Sequence, residues 1–110
     1  MHKRTLPELT HLHVLILGVL KKDEQPGRVL RDALADYGVR RTAAAFYQLM
    51  ARLERAGLVE GRYEQVTVGD QAVTERRYRI TADGQKAWAQ AQSFYADVAR
   101  LSTRVRWTDA

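Results

Sequence analysis

Arg40 to Tyr63 reads RRTAAAFYQLMARLERAGLVEGRY, and the interpretation of the whole chain starts from this stretch. Apolar residues recur in it at positions i, i+3, i+4 and i+7, which is the spacing of an amphipathic helix with one buried face. The opposite face carries small and polar residues. The buried face is predicted to contain Phe46, Leu49, Met50 and Leu53, and the outer face Ala44, Gln48, Ala51 and Arg55, flanked by Arg41, Arg52 and Tyr47.

Both ends of this helix carry recognisable signals. Thr42 is a suitable N-cap because its hydroxyl can accept a hydrogen bond from a free backbone N–H. Gly57 can end the helix in the left-handed conformation, and a strand-like run over 58–66 follows at once. Residues 38–62 contain five arginines and two glutamates, a local charge of +3. A basic helix leading into a strand is typical of a DNA-reading helix with a wing, although a solvated amphipathic helix has the same pattern.

A first helix is predicted near the start of the chain. Thr5 is its expected N-cap, Pro7 lies in its first turn, and Glu8 stands at the position of a capping-box partner. Its core stripe is predicted to consist of Leu9, Leu12, Ile16, Val19 and Leu20.

A second helix is predicted from Pro26-Gly27 to Gly38, since proline is favoured in a first turn. Only three residues separate Gly38 from Thr42, so this helix and the next form a helix-turn-helix candidate. In that motif the second helix enters the major groove by its N-terminal residues. The apolar positions of the second helix are Val29, Leu30, Ala33, Leu34 and Tyr37.

The strand-like run at 58–66 is followed by a second one from Thr74 to Ile80, with Gly69-Asp70 in the loop between them. Two strands are not stable alone, so we expect them to pack on the helices as the hairpin of a winged helix. Arg76 and Arg77, assigned to the tip and second strand of this hairpin, are expected to reach phosphate.

The last element is a long helix whose N-cap is predicted to be Thr81. Apolar residues alternate along it in steps of three and four, as in a coiled-coil seam. We expect this helix to pair with the same helix of a second subunit, with folding back over its own domain as the alternative. The chain then divides into a winged helix-turn-helix domain at 1–81 and a dimerisation helix at 82–110. The dimerisation residues are predicted to be Trp88, Ala91, Phe94, Tyr95, Val98, Leu101 and Val105.

Composition supports one small domain with a polyanionic partner. The chain has 110 residues, a net charge of +5 and a pI near 9.9, a balance that favours nucleic acid. It has no cysteine, which excludes disulfides and thiolate metal sites and suits the cytoplasm. No sequence pattern fits a metal site, a nucleophile elbow or a phosphate-cradling loop. We therefore predict no cofactor, no metal, no membrane association and no enzymatic activity.

With the elements placed, the sequence resembles the PadR family of bacterial transcriptional regulators over roughly residues 12–85. The resemblance is carried by Thr42 to Val59, where an aromatic pair precedes Leu-Glu and a Gly-Leu-Val turn, and by Arg77 to Gly84. The family typically has Pro-Gly where this chain has Ala43-Ala44, and His-Gly-Tyr where it has Pro26-Gly27-Arg28. The resemblance implies a homodimer that represses transcription, often relieved by a small aromatic or drug-like ligand near the dimer interface.

The predicted fold is therefore mainly α with a small β-hairpin (α+β), a winged helix-turn-helix with a long C-terminal dimerisation helix. Its predicted partners are double-stranded DNA, a second copy of the chain and a possible aromatic effector. Gln48 is the candidate base reader, because glutamine can bond adenine in a bidentate way, and Ala44 can touch a thymine methyl. The alternative function is a winged-helix protein–protein adaptor that no longer binds DNA. Phosphate contacts are predicted for Arg28, Arg40, Arg41, Thr42, Tyr47, Arg52, Arg76 and Arg77.

Overall fold

The computed structural model describes residues 6–104, with side chains described as far as Leu101. Within this range it contains four helices and a three-stranded antiparallel sheet, which confirms the predicted α+β winged-helix fold. No helix in residues 6–104 is long and apolar enough to cross a lipid bilayer. The elements in chain order are α1 (His11–Leu20), β1 (Gln25–Pro26), α2 (Gly27–Asp36), α3 (Ala43–Arg55), β2 (Val59–Val68), β3 (Gln71–Ile80) and α4 (Ala82–Arg104).

One hydrophobic core joins the first three helices to the sheet. The predicted stripe of α3 is fully buried in it, as the i, i+3, i+4, i+7 spacing requires. Tyr37 was expected in the stripe of α2, but α2 ends at Asp36, and Tyr37 is 75% exposed. The core cluster consists of Ile16, Leu17, Leu20, Leu30, Leu34, Phe46, Leu49, Met50, Leu53, Val59 and Tyr78.

Helix α1 begins later than the sequence suggested. Residues 6–10 are not helical, and the predicted cap, Thr5, lies outside the described residues. The N-cap is Thr10, whose hydroxyl accepts a hydrogen bond from the backbone N–H of His13 at 3.2 Å. The Nδ1 atom of His13 accepts a bond from the backbone N–H of Thr10 at 3.3 Å. This reciprocal pair is a capping box in which histidine takes the usual place of glutamate or glutamine.

The sheet has the strand order β1-β3-β2. The two-residue strand β1 was not predicted, because it exists only through its pairing of Gln25 with Tyr78 and Pro26 with Arg77. Proline is tolerated there because β1 is an edge strand. Strands β2 and β3 are joined by a two-residue turn whose first residue, Gly69, has a φ of 63°, a conformation that favours glycine.

Helix α4 packs along α1 as far as Tyr95, whose hydroxyl lies 3.4 Å from the Nδ1 atom of His11 and whose ring centroid lies 6.3 Å from that of His11. Trp88, predicted on the dimer seam, packs against the core of its own chain, and Ala91 is fully buried. Ala91 is a correction to the predicted seam, because its side chain is already buried within one chain, whereas Trp88 is only partly buried there. Tyr95, Val98 and Leu101 follow and are 39, 43 and 53% exposed. Val105, also predicted on the seam, lies outside the described residues.

Candidate nucleic-acid interface

The N-terminal half of α3 presents a continuous solvent-facing surface. Its position is fixed by the buried stripe on the opposite side of the helix and by the Thr42 cap, whose hydroxyl accepts from the backbone N–H of Ala45 at 3.1 Å. Gln48 is exposed, as is Tyr47 beside it. All the contact residues predicted on or just before this helix are exposed, namely Arg40, Arg41, Thr42, Ala44, Tyr47, Gln48 and Arg52.

The positive charge of this surface is uncompensated within the described part of the chain. Arg40, Arg41 and Arg52 form no ion pair or side-chain hydrogen bond with any described residue. Arg31, on α2, donates from its Nη2 to the carbonyl oxygen of Arg41 at 3.2 Å. Arg31 was missed by the sequence interpretation, although its i, i+3 spacing from Arg28 placed both on one face of α2. A polyanion can approach this face without displacing an acidic partner of the three arginines.

Arg28 differs from these arginines because it has an acidic partner. Its Nε donates to the Oε1 of Glu75 at 3.1 Å. The side chain of Arg28 is 71% exposed, whereas that of Glu75 is 15% exposed. The glutamate is therefore held in the wing, while the arginine remains close to solvent at the start of α2.

Arg76 lies in the root half of the wing, facing α3. Its Nη2 donates to the Oε1 of Glu54 at 2.6 Å, and its guanidinium carbon lies 4.6 Å from the ring centroid of Tyr63 and 5.7 Å from that of Tyr78. Its side chain is only 23% exposed. Burial raises the pKa of Tyr78 to about 12, so this ring stays neutral beside the ion pair. Arg76 joins the wing to α3 in this arrangement.

Arg77 is surrounded by carboxylates on the other face of the hairpin. It lies 3.2 Å from Glu64, 3.2 Å from Glu75 and 3.9 Å from Glu24, and its side chain is 22% exposed. Arg76 and Arg77 lie on the second hairpin strand, β3, as predicted, but their placement at the wing tip was wrong, since they pair with Tyr63 and Arg62 well away from the turn. The distal part of the wing, residues 65–74, contains no basic residue.

His13 lies close to the reading face of α3. It lines a hollow of about 190 Å³ together with Gln48 and Arg52. Burial lowers its pKa, and the charge of Arg52 lowers it further. The folded protein therefore favours the neutral ring, whose Nδ1 is the acceptor in the capping box.

We expect acid to weaken the fold through His13. Because the pKa is lower in the folded state, the destabilisation is absent well above the ordinary value of about 6.5 and grows as the pH falls below it. Protonation of Nδ1 removes the acceptor of the Thr10 backbone N–H, a loss of one hydrogen bond worth about 1 kcal/mol. The His13→Gln variant keeps a capping-box side chain, so urea unfolding at pH 7 and pH 5 should show a smaller loss of stability than in the wild type. His11→Gln is the control, because His11 is not part of the box. Equal losses in the wild type and in His13→Gln would contradict this role.

Comparison with known proteins places this geometry in a family. Residues 16–90 match the model of the transcriptional regulator PadR-like family. The chain belongs to this family. Among curated proteins none matches the chain significantly.

Crystal structures of PadR-family proteins share the fold. A PadR family transcriptional regulator from Eggerthella lenta is 26% identical, with a TM-score of 0.62 over 89% of this chain and 83% of that chain. A PadR-like regulator from Bacillus cereus is 19% identical, with a TM-score of 0.69 over 89% and 93%. A PadR family regulator from Clostridium difficile is 14% identical, with a TM-score of 0.71 over 86% and 97%.

As a PadR-like protein, the chain is a transcriptional regulator with a DNA-binding winged helix and not an enzyme. Family membership agrees with the resemblance seen in the sequence. Within residues 6–104 no group of three potential metal ligands comes together. The exposed face of α3 and the segment before it carry Arg40, Arg41 and Arg52, which have no acidic partner among the described residues.

Proposed function

We propose that this protein acts as a homodimer that binds a pseudo-palindromic operator in a sequence-specific way and represses transcription in the cytoplasm. The observation that carries the proposal is the exposed N-terminal half of α3, where Gln48 lies among Arg40, Arg41 and Arg52, and where these arginines have no acidic partner among the described residues. Helix α3 enters the major groove in this proposal, as the second helix of a helix-turn-helix does.

The proposed contacts divide into base reading and positioning. Gln48 bonds adenine, and the methyl group of Ala44 lies against a thymine methyl. Arg40, Arg41 and Arg52 hold phosphates, which fix the register of the protein on the duplex. Two uncharged groups also hold phosphates, the hydroxyls of Thr42 and Tyr47.

The other three arginines of the predicted contact set differ because each is paired with a carboxylate. Arg28 reaches phosphate after exchanging Glu75 for the DNA backbone, since it is the exposed member of that pair. Arg76 and Arg77 instead position the wing, because both are largely buried and already paired with carboxylates. In this proposal the distal part of the wing contributes to DNA binding through its shape and not through positive charge.

The proposed dimer uses the exposed apolar side chains in the C-terminal half of α4. Tyr95, Val98 and Leu101 lie three residues apart and form an exposed apolar stripe on one side of the helix. Phe94 is half-buried, and its ring centroid lies 5.3 Å from that of Tyr95. We retain residues 1–81 as the DNA-binding domain and residues 82–110 as the dimerisation helix. In this division Trp88 and Ala91 attach the helix to its own domain.

The proposed relief of repression by a small aromatic ligand would use this same region. The rings of Phe94 and Tyr95 supply aromatic surface between paired α4 helices. A titration with planar aromatic compounds, followed by tryptophan fluorescence, tests the idea. A signal that no compound changes would remove ligand relief from the proposal.

The experiment that tests DNA binding is fluorescence anisotropy with a random duplex between about 50 and 200 mM salt, together with light scattering for the mass. Each phosphate contact contributes about 0.9 to the slope of log affinity against log salt. A dimer with six or more contacts should lose about a thousandfold in affinity over this range. A dimer with no binding at low salt would contradict the proposal and support the adaptor function, which the lack of basic residues at 65–74 favours.

Replacing Gln48 by alanine should reduce discrimination between operators rather than general DNA binding. A bidentate glutamine–adenine pair is worth about 1–3 kcal/mol of discrimination, so the variant should lose about tenfold or more for the operator. Its affinity for random duplex should stay within about twofold, because the phosphate contacts are unchanged. An equal loss on both duplexes would show that Gln48 does not read a base. The comparison requires the operator, which selection from a random library would provide.

A further inference from the structure

A cleft of about 210 Å³ lies between α2 and the segment that leads into α3. This is the volume of roughly seven water molecules at about 30 Å³ each, enough for a small organic molecule. The inner wall of the cleft is formed by Ala35 and Val39, behind which the core residues Leu34 and Phe46 are 2% and 0% exposed. Its rim carries one carboxylate, Asp32, and four arginines, Arg28, Arg31, Arg40 and Arg41.

The charge of the rim is unbalanced. Asp32 is the only acidic residue that lines the cleft, and it forms no ion pair with any residue of 6–104. Arg40 and Arg41 likewise have no acidic partner there, whereas Arg28 is paired with Glu75 outside the cleft. Guanidinium groups that line one cleft repel each other, and an anion bound between them reduces that repulsion. Guanidinium groups are the side chains best matched to carboxylate and phosphate oxygens.

Arg31 is held in place at the edge of the apolar wall. Its Nη2 donates to the carbonyl oxygen of Arg41 at 3.2 Å, and its guanidinium carbon lies 6.0 Å from the ring centroid of Phe46. A guanidinium has five N–H donors, so most of them remain available. The cleft therefore combines a restrained cationic donor with a buried aromatic ring.

We infer that this cleft binds a small organic anion, with one phosphate or carboxylate group on the arginines and a short apolar body on the wall. The apolar wall distinguishes such a ligand from inorganic phosphate, which has nothing to bury there. A second consequence rests on the proposed function. Because Arg40 and Arg41 are also the proposed phosphate contacts, an anion bound in the cleft competes with DNA for them.

The test uses the free protein and three matched probes, which are butyl phosphate, inorganic phosphate and 1-butanol. Amide chemical shifts are followed by NMR at constant ionic strength. Butyl phosphate should shift the amides of Leu34, Val39 and Phe46 and should bind roughly tenfold more tightly than inorganic phosphate, because it buries its alkyl chain. Butanol should shift none of these amides, since it carries no charge.

Two variants assign the binding to the cleft. Arg31→Met keeps an apolar stem but removes the guanidinium, and it should weaken butyl phosphate binding at least about fivefold. Arg55→Met is the matched control, because Arg55 is an exposed arginine of α3 that does not line the cleft. Asp32→Asn should strengthen binding, since it removes the one negative charge of the rim.

Equal affinity for butyl phosphate and inorganic phosphate would overturn the inference, because the site would then be only a cluster of charge. An equal effect of Arg31→Met and Arg55→Met would overturn it as well. Shifts of the cleft amides with DNA but not with butyl phosphate would overturn it by assigning the cleft to the DNA backbone. Binding of butyl phosphate by a protein that fails to bind DNA would support the inference while contradicting the proposed function.

Discussion

Replacing Gly84 by alanine should lower the free energy of unfolding by about 2 kcal/mol. A Cβ atom at this position would overlap the carbonyl oxygen of Leu58 and lie 2.7 Å from the Cγ1 atom of Ile80. The obstacle is backbone, so the overlap is relieved only by moving α4 away from the sheet. Overpacking of this kind costs about 1–3 kcal/mol and occasionally more. The better helix propensity of alanine offsets about 1 kcal/mol of the cost, and urea denaturation measures the net effect.

Gly69→Ala is the matched control for this prediction. Gly69 has a φ of 63°, and a Cβ atom there would meet nothing within 4 Å. Only backbone strain applies at that turn, about 1–2 kcal/mol for a left-handed alanine. If Gly84→Ala were as stable as the wild type, the close approach of α4 to Leu58 would be incorrect. A loss confined to Gly69→Ala would lead to the same conclusion.

Removing both arginines before α3, in the double variant Arg40→Ala/Arg41→Ala, should weaken binding to random duplex by roughly 50-fold per DNA-bound subunit near 0.1 M salt. Each lost phosphate contact releases about 0.9 fewer counterions. The slope of log affinity against log salt should therefore fall by about 2 per subunit. Fluorescence anisotropy over a salt series measures both quantities.

The control for the arginine pair is Arg55→Ala, in the last turn of α3. This side chain is also exposed and unpaired within the described residues, so its removal changes the net charge without touching the N-terminal half of the helix. A slope that falls equally per charge in all variants would mean that DNA responds to net charge alone. Thermal unfolding of each variant excludes loss of the fold as the cause.

The predictable part of the fold rested on local signals. The four-residue stripe of α3, its Thr42 cap and the turn at Gly57 all follow from spacing and backbone preference within one helix. The start of α1 was wrong because histidine completes its capping box, a role usually taken by glutamate or glutamine. Strand β1 has no signal of its own, since two residues become a strand only when β3 lies beside them.

The candidate site was predictable to the extent that it lies on one helix. Helical periodicity alone placed Gln48 and Arg52 on the outer face of α3, and both are exposed. The partners of Arg76 and Arg77 depend on the register of the hairpin and on its packing against α3. Such pairings join residues distant in sequence, such as Glu54 and Arg76, and no short-range pattern reveals them. Likewise, only the packing of α4 showed that Ala91 is fully buried and that Trp88 packs against the core of its own chain.

The side chain of Thr81 links the end of α3 to the start of α4. Its hydroxyl donates to the carbonyl oxygen of Gly57, just after α3, and accepts from the backbone N–H of Gly84 in α4. Helix α4 has 23 residues and is therefore about 35 Å long. Its first half is fixed to its own domain by the buried Ala91 and by the contact of Tyr95 with His11. In the proposed dimer, a displacement of the far halves of two such helices is therefore passed directly to the segment that follows α3.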